Sequence, residues 1–157
     1  MIKGMTACIA LALGIGIYFY LLDDEPSVKM AESMVEDTID YISKAGPEQA
    51  IKEINAGKSD RWHRGDIYVF VYQVEPRGYM VAHAINQGLV NKNLYDLTDP
   101  DGKFFVKEYL DTAIETGRSK IPFKWPHPVT NKIENKTGVC RLTNDKKYVV
   151  CSGAYKK

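Results

Sequence analysis

Apolar residues recur every three or four positions near the start of the chain, at Val28, Ala31, Met34, Val35, Thr38, Ile39 and Ile42. That period lines one face of a helix, so a helix is predicted from Ser27 to Ala45. Gly46-Pro47 breaks it, and a second, short helix follows from Glu48 to Asn55, closed by Gly57. The pattern then changes. Asp66 to Val74 (DIYVFVYQV) is dense in β-branched and aromatic residues, the strongest strand signal in the sequence. Pro76-Arg77-Gly78 reads as a turn and Tyr79 to Ile85 as the returning strand. Residues 86–103 read as a loop, Phe104 to Glu115 as a helix stopped by Gly117, and Lys120 to Trp125 as a further strand. A last hairpin runs from Gly138 to Leu142 and back from Tyr148 to Ser152. Two helices, two strands, a helix and about three strands make an α+β domain, with helices segregated on an antiparallel sheet.

Ahead of this domain lies an uncharged run, Met5 to Leu22 (MTACIALALGIGIYFYLL), between Lys3 and the acidic triplet Asp23, Asp24, Glu25. As a helix it would span roughly 27 Å, about the hydrocarbon thickness of a bilayer. Lys3 holds the N-terminus on the cytoplasmic side, and Tyr18, Phe19 and Tyr20 suit the far interface. A cleaved secretory signal is the competing reading; the length of the run and the lack of a small-x-small site after it favour a retained anchor. The chain therefore divides into an anchor, residues 1–23, and one domain, residues 24–157. Under either reading the domain lies outside the cytoplasm; the anchor reading makes it a periplasmic domain on a single-pass inner-membrane helix.

Cys140 and Cys151 sit on the two arms of the last hairpin. Pairing the arms about the middle of Thr143-Asn144-Asp145-Lys146-Lys147 places the two cysteines directly opposite one another. A structural disulfide is expected in an oxidising compartment; two buried thiols are the alternative.

Charge and composition mainly exclude functions. There are 21 basic and 20 acidic residues with no basic block, so a nucleic-acid partner is not expected. The three histidines, His63, His83 and His127, lack the i, i+4 spacing of helical zinc sites, and no haem, phosphate-loop or nucleophile-elbow motif occurs. Leu97 to Glu108 imitates a calcium-loop spacing but has Leu97 at the first ligand position, and it reads as turn chemistry. No catalytic residue, metal or cofactor is expected, and hence no enzyme.

Five stretches carry a family resemblance in order along residues 28–155: YISKAGPEQAIKEIN, GDIYVFVYQ, MVAHAINQGLVNKNLYDLTDPDGKFFVKEYLDTA, FKWPHP and VVCSGAY. The chain resembles the single Cache domains, extracytoplasmic ligand-binding modules of bacterial chemoreceptors and sensor kinases. The resemblance implies a PAS-like fold, with a long N-terminal helix behind the sheet and a pocket for a short organic acid on its other side. Where relatives often carry Trp-x-x-Tyr-Arg-Trp, this chain has Lys120-Ile121-Pro122-Phe123-Lys124-Trp125, and their His-Pro is His83-Ala84. Tyr72, His83, Lys124 and Trp125 are thus the expected ligand contacts, with Phe123 as wall and Lys124 as the cation for a carboxylate. Asn135-Lys136-Thr137 reads as a chance glycosylation sequon. No second apolar segment or output domain follows before Lys157, so a sensor module acting through a partner protein is expected. The alternative is an accessory subunit of a membrane complex that uses this fold for docking.

Overall fold

The computed structural model describes residues 25–156. Among these no helix is long and apolar enough to cross a membrane. The expected anchor and its boundary with the domain lie outside the described residues.

Two helices lead, α1 (Pro26–Ala45) and α2 (Pro47–Ala56). The short strands β1 (His63–Arg64) and β2 (Ile67–Tyr68) form a separate two-stranded ribbon, followed by β3 (Phe70–Gln73) and β4 (Met80–His83). A 3₁₀ turn, Gln87–Leu89, begins a long strap that reaches α3 (Phe105–Thr116). The strands β5 (Arg118–Pro126), β6 (Ile133–Leu142) and β7 (Tyr148–Tyr155) complete the domain. The main sheet has the order β4-β3-β7-β6-β5, antiparallel at every pairing. This is the expected α+β architecture, with the long first helix behind the sheet.

The apolar stripe of α1 is its buried face: Val28, Ala31, Met34, Val35, Thr38, Ile39 and Ile42. Burying each larger aliphatic side chain contributes on the order of 2 kcal/mol, so this stripe fastens the helix. It packs behind β6 and β7, and ion pairs from Glu32 to Lys120 and from Glu36 to Arg141 flank the contact. α3 packs against the opposite face, where the Ser119 hydroxyl donates to the Tyr109 carbonyl at 2.8 Å. α2 ends at Gly57 in the left-handed region, with φ of 61°. A Cβ there would lie 2.5 Å from the carbonyl oxygen of Ala84, so glycine is required where α2 meets the end of β4.

The observed strands depart from the predicted ones in two places. The run Asp66 to Val74 is split at Val69, whose N–H bonds the Trp62 carbonyl at 2.9 Å on the ribbon side while its carbonyl accepts the Ala84 N–H at 3.0 Å on the β4 side. The last hairpin is longer than predicted, beginning at Ile133 and ending at Tyr155. Its register pairs Cys140 with Cys151, and the two form a disulfide with Cα atoms 4.1 Å apart.

Candidate functional site

The cavity side of the sheet is set by strand parity. Phe70 pairs with His83 and with Cys151, Lys136 with both Tyr155 and Phe123, so these residues share a face, as does Tyr72 two positions from Phe70. α3 lays Phe105 and Tyr109 over that face, and the strap adds Leu89, Leu94 and Leu97. Phe105 stacks on Phe123 with ring centroids 4.3 Å apart. These groups enclose a narrow cavity, closed further by Tyr68, Met80 and Trp125. Its water-accessible volume is about 20 Å³, room for one or two waters, so any organic occupant is small or parts the walls. A wider cleft of about 420 Å³ adjoins it through Tyr68, His83 and Trp125. That cleft is lined by His63, His83 and His127, which the sequence alone left scattered. Among the described residues no cluster of His, Cys, Asp and Glu is arranged to hold a metal ion.

Three polar elements face the cavity. Lys136 is 2% exposed, and its Nζ donates to the Tyr68 hydroxyl at 2.6 Å. The ammonium position lies 3.8 Å from the Tyr68 ring centroid and 4.8 Å from that of Tyr155. No carboxylate lies within ion-pair distance of it among the described residues. Burial pulls its pKa from the ordinary lysine value down to about 7, against a weaker upward pull from Asp66. The stem fits because residue 153 is glycine: a Cβ there would stand 2.6 Å from Lys136 Cε.

His83 is buried, and its Nδ1 accepts the backbone N–H groups of Asn86 at 3.0 Å and Ile85 at 3.3 Å. The proton therefore belongs on Nε2, which has no hydrogen-bond partner among the described residues. Burial, aided by the positive charge of Lys136, holds the ring neutral with a pKa near 3. The backbone around it is tied down: Asn55 Oδ1 accepts its N–H at 3.0 Å, and Gln87 donates to its carbonyl at 2.6 Å. The third element is the hydroxyl pair of Tyr72 and Tyr109, 2.7 Å apart, both kept protonated by burial.

The structure thus brings Tyr72, His83, Phe123 and Trp125 around one cavity and leaves Lys124 off it. This corrects the expected cation. Phe123 and Trp125 point inward, so the residue between them must face the other way. Lys124 Nζ is instead paired with Asp101 at 2.8 Å on the surface. Together with Asp99, it ties the strap to β5: Asp99 Oδ2 accepts the Lys124 N–H at 3.1 Å and Oδ1 accepts those of Asp101 and Lys103. Burial raises the Asp99 pKa, but these three N–H groups outweigh it and hold the carboxyl below its usual range. The calcium-like spacing around Asp99 is therefore loop chemistry that closes the strap. The cation in the cavity, Lys136, was missed. It stands directly opposite Phe123, and extending the correctly placed cysteine pairing four residues along β6 reaches it.

A buried amine, an imidazole N–H and two hydroxyls converge here on aromatic walls, and no carboxylate lines the cavity. Such a set suits a small anion with an apolar body.

Comparison with known proteins agrees with this fold. The chain is 32% identical over 90 residues to the sensor histidine kinase MctS of Rhizobium johnstonii, a stretch covering 57% of this chain and 19% of that kinase. Its structure resembles a methyl-accepting chemotaxis protein from Vibrio parahaemolyticus, with TM-score 0.67 and 24% identity over 81% of this chain and 86% of that one. A solved structure titled for carboxylic acid recognition by a Cache chemosensory domain matches with TM-score 0.66 and 21% identity, over 88% of this chain and 97% of that one. The Cache domain family model matches residues 20–157, nearly the whole sequence, and the chain accordingly belongs to the Cache domain family.

Proposed function

We propose that this domain binds a short monocarboxylate outside the cytoplasm, as a sensor module held to the membrane by residues 1–23 and signalling through partner proteins. The observation that carries the reading is Lys136: among the described residues, a buried amine without a counter-ion, in an aromatic cavity it shares with an imidazole whose Nε2–H has no partner. A carboxylate supplies the missing charge and accepts from both donors. Support for the setting comes from the disulfide, which forms in oxidising compartments, and from the apolar run at 5–22. The structural neighbour titled for carboxylic acid recognition supports the ligand class, and the sensor kinase relative supports the signalling role. The reading assigns no turnover and no cofactor to the site. A bound acid transmits a signal only in so far as it favours one conformation of the domain over another.

A thermal-shift screen of the full chain in detergent tests this, with two- to four-carbon monocarboxylates set against amino acids and urea. An acid at about 100 times its Kd stabilises the fold by roughly 2.7 kcal/mol, a rise of several degrees in Tm. A flat response from well-folded protein to every acid overturns the reading.

A further inference from the structure

If the cavity is a ligand pocket, as proposed above, its amine is placed for chemistry as well as for charge. We propose that Lys136 captures a short 2-oxo acid covalently, as a reversible Schiff base. Among the described residues the Lys136 stem is threaded past Gly153 and its Nζ touches only aromatic faces and one hydroxyl, so no fixed carboxylate holds the amine protonated. In that setting it is about half free base at neutral pH, whereas an exposed lysine is neutral to roughly one part in a few thousand.

The step needs nothing beyond ligand, protein and a proton from solvent. The Nζ lone pair adds to the keto carbon, and the carbonyl oxygen takes up the proton that Nζ gives away, relayed through the Tyr68 hydroxyl 2.6 Å from Nζ. In the resulting carbinolamine the nitrogen lone pair forms a nitrogen–carbon double bond as the hydroxyl, protonated from solvent, leaves as water. One neutral amine, one ketone and one proton taken up from solvent become one protonated imine and one water, with no change of oxidation state. The iminium stands next to the ligand's own carboxylate, which His83 Nε2–H is placed to receive. Capture stops there, since no group on the cavity wall is charged and basic enough at neutral pH to carry the imine further.

The test is trapping. Full-chain protein in detergent is incubated with pyruvate and cyanoborohydride at pH 7, and the product is examined by intact mass and peptide mapping. The expected result is one adduct, mapped to Lys136, formed roughly tenfold or more faster than on any exposed lysine and slowed by excess acetate. Lys136→Met should abolish it while Lys124→Ala leaves it unchanged. No adduct at Lys136, or adducts only on surface lysines and unaltered by Lys136→Met, overturns the proposal. Acetate thermal shift on the same sample separates the two readings: a shift without an adduct leaves carboxylate binding standing and removes the covalent step.

Discussion

Replacing Lys136 with methionine should make the protein more stable and unable to bind acids. The side chains are similar in length, so the packing against Tyr68, Tyr155 and Gly153 is largely kept. What changes is the charge. An unfolded lysine keeps its proton up to its ordinary pKa of 10.5, whereas the folded one releases it near 7. Between those values the unfolded chain binds more protons, so stability rises with pH across the window, and the cost of burial is fully present below pH 7. At pH 7 that cost is on the order of 4 kcal/mol. Methionine removes it and forfeits the hydrogen bond to Tyr68, worth about 1 kcal/mol. The net gain is about 3 kcal/mol, a rise in Tm on the order of 10 °C. Urea unfolding of both proteins at pH 7 and pH 9 measures it. The cost in the wild type falls to about 2 kcal/mol at pH 9, so the variant's advantage should shrink by about that much. A variant less stable than wild type at pH 7, or an advantage that does not shrink, would refute the reasoning.

Other outcomes follow from the same site. Carboxylate binding should take up a proton, because an anion beside Nζ restores the lysine's charge. The groups facing Lys136 are the Tyr68 and Tyr155 hydroxyls, the His83 ring and, more distantly, Asp66. The hydroxyls are pushed up by burial, to about 12 for Tyr155, and His83 is neutral, so Lys136 alone of these three side chains and itself changes charge between pH 7 and 9. Kd should rise by up to about tenfold per pH unit above 7, and calorimetric heats should differ between phosphate and Tris; a pH-independent Kd over that range speaks against it. His83 titrates near 3 when folded against 6.5 for an ordinary histidine, so stability should fall as pH drops through that window, by about 2 kcal/mol from pH 6.5 to 4.5. His83→Gln, which keeps an acceptor for the Asn86 N–H, should lose that dependence in urea midpoints. Lys124→Ala breaks only a surface pair, so acid affinity should stay within about twofold of wild type in the same calorimetry.

Much of this was legible in the sequence, and the misses have definite causes. The apolar stripe of α1 was read residue for residue, because a helix that covers a sheet must repeat its buried positions at the helical period. The cysteine pairing was legible because the turn residues fix the hairpin register. The break at Val69 was not: its local sequence favours a continuous strand, while the chain there changes partners, from the ribbon with Trp62 and His63 to the pairing with β4. The site was half legible. Aromatic residues at alternating positions announce a common face, and the same alternation turns Lys124 away from it; only the likeness to a family arginine points to Lys124. Lys136 was hidden because Glu134, Asn135 and Lys136 carry no strand signal of their own. They become strand through pairing with β5 on one side and β7 on the other.

That pairing also bears on how a buried, unpartnered lysine is tolerated at all. A cost on the order of 4 kcal/mol is a large share of a small domain's stability, and it falls on the strand pair β6–β7 that frames the lysine stem. The disulfide lies on the same pair and the same face, four residues from Lys136 along β6 and two from Gly153 along β7. With a sequence separation of 11, chain-entropy reasoning assigns this cross-link a contribution of about 3 kcal/mol, the same order as the charge burial it adjoins. The clamp also fixes the cross-strand register that sets Gly153 beside the lysine stem. The loss from Cys140→Ser should therefore be felt twice, in global stability and in the placement of the amine. In the Lys136→Met background the stability loss should remain, yet the protein should stay about as stable as the wild type with its disulfide intact. A double variant markedly less stable than wild type in urea would show that disulfide and lysine are not offsetting terms of one design.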